Sequence, residues 1–137
     1  MSNTKKLKFF IVDDDPFSRM LYNQHLLNMG YKNNVLLDNG IDCINKLELE
    51  PDIIFLDYDM QPINGLEVLK KVKESKNDIF ILIISQHKDK QIVLDSFKHG
   101  AFDYIVKGDH DLEMISTAVN KIISTREQSY EHEMMIA

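Results

Sequence analysis

Apolar residues in this chain fall in short blocks that each stop at a polar or acidic side chain, with stretches of helical period between them. Residues 7–12 are apolar except for Lys8 and end at Asp13, Asp14 and Asp15. An apolar run of this length predicts a strand covered on both faces, as parallel strands are. Asp15 and Pro16 then read as the N-cap and first residue of a helix, with Met20, Leu21, Leu26, Leu27 and Met29 as its apolar positions and Gly30 as its stop. Residues 35–37 predict a short second strand, and Asn39-Gly40 turns into a helix carrying Ile41, Ile44, Leu47 and Leu49 before Pro51. A third strand over 53–56 delivers Asp57 and Asp59. Leu66, Val68, Leu69 and Val72 mark the next helix, whose Lys70, Lys71, Lys73 and Glu74 are expected in solvent. Residues 79–84 are the most apolar run and predict a central strand ending at Ser85. Ile92, Val93 and Phe97 place a helix before Gly100, residues 102–106 a fifth strand ending at Lys107-Gly108, and Leu112, Ile115, Val119 and Ile122 a last helix from about Asp109 or Asp111.

Strand and helix thus alternate with short connections, which by the right-handed crossover rule predicts an α/β domain, a parallel sheet with helices on both faces. The domain is expected over residues 1–125. Residues 126–137 are polar and then end in Met134, Met135 and Ile136, a tail that extends the last helix, docks weakly or is disordered.

Composition narrows the function classes. With 137 residues, 44% of them hydrophobic, the chain can bury one core. Its formal net charge of -6, with basic residues dispersed among acids, argues against a nucleic-acid surface. The single cysteine, Cys43, cannot form an internal disulfide and reads as a small buried hydrophobe. The N-terminal apolar run stops at acids too early for a signal peptide, and no stretch approaches the roughly 18 apolar residues of a membrane span. A soluble protein of the reducing cytoplasm is expected, with no membrane and no direct nucleic-acid partner.

The strand ends carry the chemistry. In an open parallel sheet they converge on one edge, so Asp13 and Asp14, Asp57 and Asp59, Ser85, and Lys107 are expected around one shallow cleft. Clustered carboxylates repel and raise one another's pKa unless a cation offsets them, and an all-oxygen donor set suits Mg²⁺, or Mn²⁺. A carboxylate beside such a cation and an ammonium is placed to attack phosphorus, so Asp57 is the candidate nucleophile and an aspartyl phosphate the expected intermediate. Taken singly, Ser85 could be a helix cap, Lys107 a surface lysine and Tyr104 a half-buried edge aromatic. Their order along the chain raises Ser85 and Lys107 above those readings.

The segments IVDDDP at 11–16, FLDYDMQPINGLEVL at 55–69, LIIS at 82–85 and GAFDYIVKG at 100–108 resemble the receiver domain of two-component response regulators, over residues 6–125. The resemblance implies a flavodoxin-like, doubly wound five-stranded parallel sheet of order 2-1-3-4-5 with five helices. It implies that Asp57 accepts a phosphoryl group from a histidine kinase or phosphotransfer protein, and that the chain catalyses its own phosphorylation and dephosphorylation without being an enzyme in the ordinary sense. By the same resemblance Asp13, Asp14, Asp57 and the backbone carbonyl of Asp59 hold the metal, Ser85 and Lys107 contact the phosphoryl group, and Tyr104 with Ser85 forms the switch. The face made by the fourth helix, fifth strand and fifth helix would then bind an unknown output protein or a second copy as a homodimer, as in stand-alone receivers.

Three residues depart from the family pattern. Gln86 replaces the usual small residue after the hydroxyl, Gly108 replaces the proline after the lysine and leaves that loop looser, and the proline after Met60 is displaced to Pro62. Asp59, Gln86 and His87 are candidates to tune phosphoryl lifetime. His25, His99, His110 and His132 show no metal-ligand spacing and are read as surface residues. Two rival functions remain. A phosphorylation-independent receiver-like interaction module is compatible with Gln86 and Gly108. A haloacid-dehalogenase-type phosphohydrolase echoes Asp57-Tyr58-Asp59, Ser85 and Lys107 but keeps its metal acids downstream of the lysine rather than at positions 13 and 14.

Overall fold

The computed structural model describes residues 6–136. Among them, five parallel strands form one sheet: β1 (Lys8–Val12), β2 (Asn33–Leu37), β3 (Ile53–Leu56), β4 (Phe80–Ser85) and β5 (Asp103–Val106), in the order β2-β1-β3-β4-β5. The helices are α1 (Pro16–Asn28), α2 (Gly40–Asn45), α3 (Gly65–Ser75), α4 (Lys90–Lys98) and α5 (Asp111–Ile136). This is the doubly wound order that the resemblance to receiver domains implies.

The apolar blocks of β1, β3 and β4 do not alternate because these strands are covered on both sides. Phe10, Val12, Ile54, Leu56, Ile81 and Ile83 face α2 and α3, where Cys43, Val68, Leu69 and Val72 complete one core. Phe9, Ile11, Ile53, Phe55, Leu82 and Ile84 face α1 and α5, meeting Tyr22, Leu26, Ile115, Val119 and Ile122 in the other. The register pairs Val12 with both Leu37 and Leu56, Leu56 with Ile83, and Ser85 with Val106, so the strands end nearly level. A level edge brings the residues that follow each strand together.

Several local expectations are corrected. In α1 the buried positions are Ser18, Tyr22 and Leu26, spaced by four, whereas Met20 is 67% exposed and Leu27 lies at the surface. The helix period, rather than apolarity alone, selects the inward face. The predicted second helix ends at Asn45, and Leu47–Leu49 form a separate 3-10 turn before Glu50 takes a left-handed conformation with φ 57°. The fifth strand starts at Asp103 rather than at Phe102. In α4 the buried residue is Ser96 and Phe97 is exposed. Lys73 is not simply solvated: its Nζ donates to the carbonyls of Asn77 and Ile79 at 3.1 and 2.7 Å and so pins the connection from α3 to β4. His25 bridges two helices, with Nε2 2.8 Å from Ser116 Oγ. Finally, α5 continues to Ile136, with Tyr130, Met134, Met135 and Ile136 exposed along its last turns. No helix among the described residues is long and apolar enough to cross a membrane.

Candidate functional site

Each candidate side chain is set by one more rung of the sheet's hydrogen-bond ladder beyond the strand itself. The amide of Asp13 donates to Leu37 O at 3.1 Å, that of Asp57 to Val12 O at 2.9 Å, and that of Lys107 to Ser85 O at 2.8 Å. The backbones that carry these groups therefore belong to the rigid sheet, although their side chains reach past its edge. Arg19 on α1 adds a hold that the sequence reading missed, its Nη1 donating to Asp13 O at 2.7 Å.

At this edge Lys107 Nζ lies 2.9 Å from Asp13 Oδ2 and 3.6 Å from Asp57 Oδ1. Asp13 and Asp57 are buried, 3% and 5% exposed, whereas Asp14 is open to solvent. Asp13, Asp14 and Asp57 each offer a carboxylate oxygen within 4.8 Å of the other two. One lysine thus faces two buried acids and a third nearby. Burial is the main reason that the Asp57 carboxyl is pushed up to about 7, and the charge of Asp13 adds to it; Lys107 pulls the other way, and Asp14 and Asp59 push further up. For Lys107, burial favours the neutral amine, but the hydrogen bond to Asp13 and the charge of Asp57 outweigh it and hold the ammonium above its usual range.

The loop after Asp57 is closed by a glycine. Gly65, the first residue of α3, donates its N–H to Tyr58 O at 2.9 Å. A Cβ at this position would lie 2.8 Å from Tyr58 Cα and 3.0 Å from the Asp57 carbonyl carbon. Only glycine lets the helix start this close to the backbone of Asp57. Asn64 and Glu67 fix that start with reciprocal hydrogen bonds of 3.0 and 2.9 Å, a capping box.

Ser85 is fully buried, and its Oγ accepts from the His87 amide at 3.1 Å. His87 also joins three other elements of the site. Its Nε2 is 2.7 Å from Asp59 Oδ1, its ring meets Tyr58 edge-on with centroids 5.2 Å apart, and its carbonyl accepts from the Tyr104 hydroxyl at 2.8 Å. Tyr104 is accordingly buried rather than a half-exposed edge aromatic, and burial raises its pKa. The sequence offers His87 as a tuning candidate alongside Asp59, from its place two residues past Ser85; their direct contact across 28 residues has no local signal. Gln86 lies exposed beside this group.

The structure therefore brings Asp13, Asp14, Asp57 and Lys107 together, and places Ser85, His87, Asp59 and Tyr104 as a linked group on the β4 and β5 side. Three converging carboxylates with one acid above its ordinary pKa form a donor set that fits a hard divalent cation. The acids differ in exposure, so the buried Asp57 and the open Asp14 offer unequal access.

Comparison with known proteins agrees with this geometry. Residues 9–120 match the family described as response regulator receiver domain. The chain is 30% identical to chemotaxis protein CheY of Thermotoga maritima over 84% of its own length and 96% of that protein's. It is 31% identical to chemotaxis protein CheY of Bacillus subtilis over 82% and 98%. Among solved structures, the response regulator TrrA of Thermotoga maritima in complex with Mg²⁺-BeF superposes with a TM-score of 0.76 at 27% identity, covering 85% of this chain and 98% of that one. The BeF3-activated receiver domain of DrrB gives a TM-score of 0.78 at 24% identity, over 86% and 97%, and bears on the fold alone.

Proposed function

The chain belongs to the response regulator receiver domain family of two-component systems, and from that premise we propose that Asp57 is its phosphoacceptor. The observation that carries this reading is a buried carboxylate at the end of β3, held at about 7 and lying 3.6 Å from the ammonium of Lys107. An Asp57 oxygen attacks the phosphorus of a phosphohistidine on a kinase or phosphotransfer protein. The P–N bond breaks, and its electron pair leaves with the imidazole nitrogen, which takes up a proton. Lys107 is placed to neutralise a phosphoryl oxygen, and the Ser85 hydroxyl to donate to another. Dephosphorylation reverses the state through attack of water on phosphorus, which releases phosphate and restores the carboxylate.

Asp13, Asp14, Asp57 and the carbonyl of Asp59 are the groups that would hold Mg²⁺, or Mn²⁺. When bound, such a cation supplies charge that offsets the acids and the phosphoryl oxygens. Asp59 and His87, joined at 2.7 Å, set how readily water reaches the phosphoryl group. Gln86, exposed between Ser85 and His87 in the chain, belongs to this tuning set.

Output follows from Tyr104. Its hydroxyl is bonded to the loop that bears Ser85, so a shift of Ser85 toward a phosphoryl oxygen moves the partner of that hydroxyl. The surface beside it, on α4, β5 and α5, exposes Leu94, Phe97 and Met114, apolar contacts suited to an output protein or to a homodimer. The relatives suggest a cytoplasmic signalling role in which the chain acts on no substrate besides its own phosphoryl donor.

The test is incubation with acetyl phosphate or beryllofluoride and Mg²⁺. A phosphoryl mass increment and a change in tyrosine fluorescence are expected, and both should vanish with Asp57→Asn. A chain that gains no mass and shows no fluorescence change is instead a phosphorylation-independent interaction module.

A further inference from the structure

The loop after Lys107 carries Gly108 where the family pattern has a proline, and it has little packing of its own. Gly108 is exposed, and a Cβ built there would meet nothing within 4 Å. What holds it is Asp111, whose Oδ2 accepts from the Gly108 amide at 3.4 Å while its own amide donates to Gly108 O at 3.3 Å. Asp111 is 7% exposed, unusual for an acid in the first turn of a helix, and no cation is paired with it among the described residues. Its second partner lies across the interface between α1 and α5. The hydroxyl of Tyr22, a residue 3% exposed, donates to the same Oδ2 at 2.9 Å.

A buried carboxylate is retained only where hydrogen bonds replace water. Tyr22 provides the stronger of the two side-chain bonds here, because a phenol aimed at a carboxylate makes a short charge-assisted contact. Without it, Asp111 would be left with one long bond and would turn toward solvent, drawing the first turn of α5 with it. Gly108 would lose its hold, and the backbone of Lys107 would be fixed on its N-terminal side alone, by the rung to Ser85. The Lys107 ammonium sits at the far end of four methylenes and must reach both Asp13 and Asp57, so freedom in its backbone is amplified at its tip.

We propose that Tyr22 and Asp111 are positioning residues for Lys107, tying the β5–α5 loop to α1. Neither touches a reacting atom. Removal of either hydrogen-bonding group should leave the fold intact and loosen the ammonium over Asp57.

For its rate measurement the test rests on the phosphoacceptor reading; its exchange measurement does not. In metal-free protein, Tyr22→Phe should raise hydrogen exchange of the Gly108 and Lys107 amides at least as much as that of any other site, with the central strands β1 and β3 changed far less. With Mg²⁺ and acetyl phosphate, the rate of Asp57 phosphorylation per folded molecule should fall about fivefold, well short of the ~100-fold that an ångström of misplacement can cost. Asp111→Leu should match Tyr22→Phe or exceed it, while Asp111→Asn, which keeps an acceptor oxygen, should retain most of the wild-type rate. Leu26→Ala, one turn along the same buried face of α1, is the control: it lowers stability but leaves the rate per folded molecule unchanged. Equal loss of rate in the control, or unchanged Gly108 exchange in Tyr22→Phe, overturns the proposal. A wild-type chain that is never phosphorylated refutes the phosphoacceptor reading instead, and the exchange measurement then decides the tie by itself.

Discussion

Replacing Asp57 by Asn should stabilise the metal-free protein, and by an amount that depends on pH in a defined direction. The carboxyl is held at about 7 rather than 3.8, chiefly by burial and then by the charge of Asp13. Because its folded pKa is raised, this group stabilises the fold fully below about pH 3.8, loses that contribution as pH climbs from there to about 7, and contributes a constant cost above. At ~1.36 kcal/mol per pKa unit the whole cost is about 4 kcal/mol. At about pH 4.5 roughly 1 kcal/mol of it is present, so the stability difference between Asp57→Asn and wild type should widen by about 3 kcal/mol between pH 4.5 and pH 8. Any fixed penalty from placing an amide beside Lys107 cancels in that comparison. Urea unfolding in chelator measures it, and a slope of about 1–3 kcal/mol/M turns the difference into a midpoint shift of roughly 1–3 M. Saturating Mg²⁺ should close most of the gap by stabilising the wild type alone. A difference that stays constant within about 1 kcal/mol across this range would show that Asp57 is not a strained carboxylate, and the argument for a cation site would lose its energetic basis.

Lys107→Met should have two effects: stability falls by about 2 kcal/mol at neutral pH, because Asp13 and Asp57 are left facing each other, and phosphorylation by acetyl phosphate slows by about 10²-fold. Denaturation and mass spectrometry check these separately, and wild-type rates in this variant would remove Lys107 from the site. Gly65→Ala should cost about 2 kcal/mol, since the backbone atoms of Asp57 and Tyr58 cannot retreat from a Cβ as a side chain could. Its Mg²⁺ affinity, read by titration, should drop as Asp57 is displaced. The double substitution Asp59→Ala with His87→Ala should alter the lifetime of the phosphorylated protein several-fold, and an unchanged lifetime refutes their tuning role.

The strands and the acids at their ends were legible because both follow from one-dimensional signals, whereas the sheet order came only from the resemblance to receiver domains. Unbroken apolar runs over residues 9–12, 53–56 and 80–84 suit strands covered on both faces, and the polar residues that follow them fall at the sheet edge. What was not legible depends on pairs distant in sequence. Tyr22 and Asp111 are 89 residues apart, His87 and Asp59 28, and His25 and Ser116 91. Lys73 belongs to the same class, for a lysine on a helix looks solvated until its Nζ is seen capping the carbonyls at the start of the next strand. In α1 the error was of a different kind. Met20 and Leu27 are apolar but fall outside the stripe defined by Ser18, Tyr22 and Leu26, and a serine and a tyrosine occupy the inward positions because each has a polar partner there, Asp15 and Asp111.

That substitution of polar for apolar residues on a buried face bears on how the site is built. Among the described residues two acids beyond Asp57 are nearly excluded from solvent, Asp13 and Asp111, and each is held by a donor from another element: Asp13 by Lys107, Asp111 by Tyr22. Lys107 and Asp111 bracket the same short loop. One end of that loop is drawn toward the phosphoacceptor and the other toward α1. A family proline would stiffen such a loop by removing backbone freedom, whereas Gly108 restores it. The stiffness must then come from contacts, and the buried Tyr22–Asp111 pair is the contact at hand. Reliance on a hydrogen bond rather than on a ring makes the loop's order dependent on that one contact between α1 and α5. Loss of the Tyr22–Asp111 bond should therefore reach Lys107, whereas an apolar truncation elsewhere on the same interface, such as Leu26→Ala, should not.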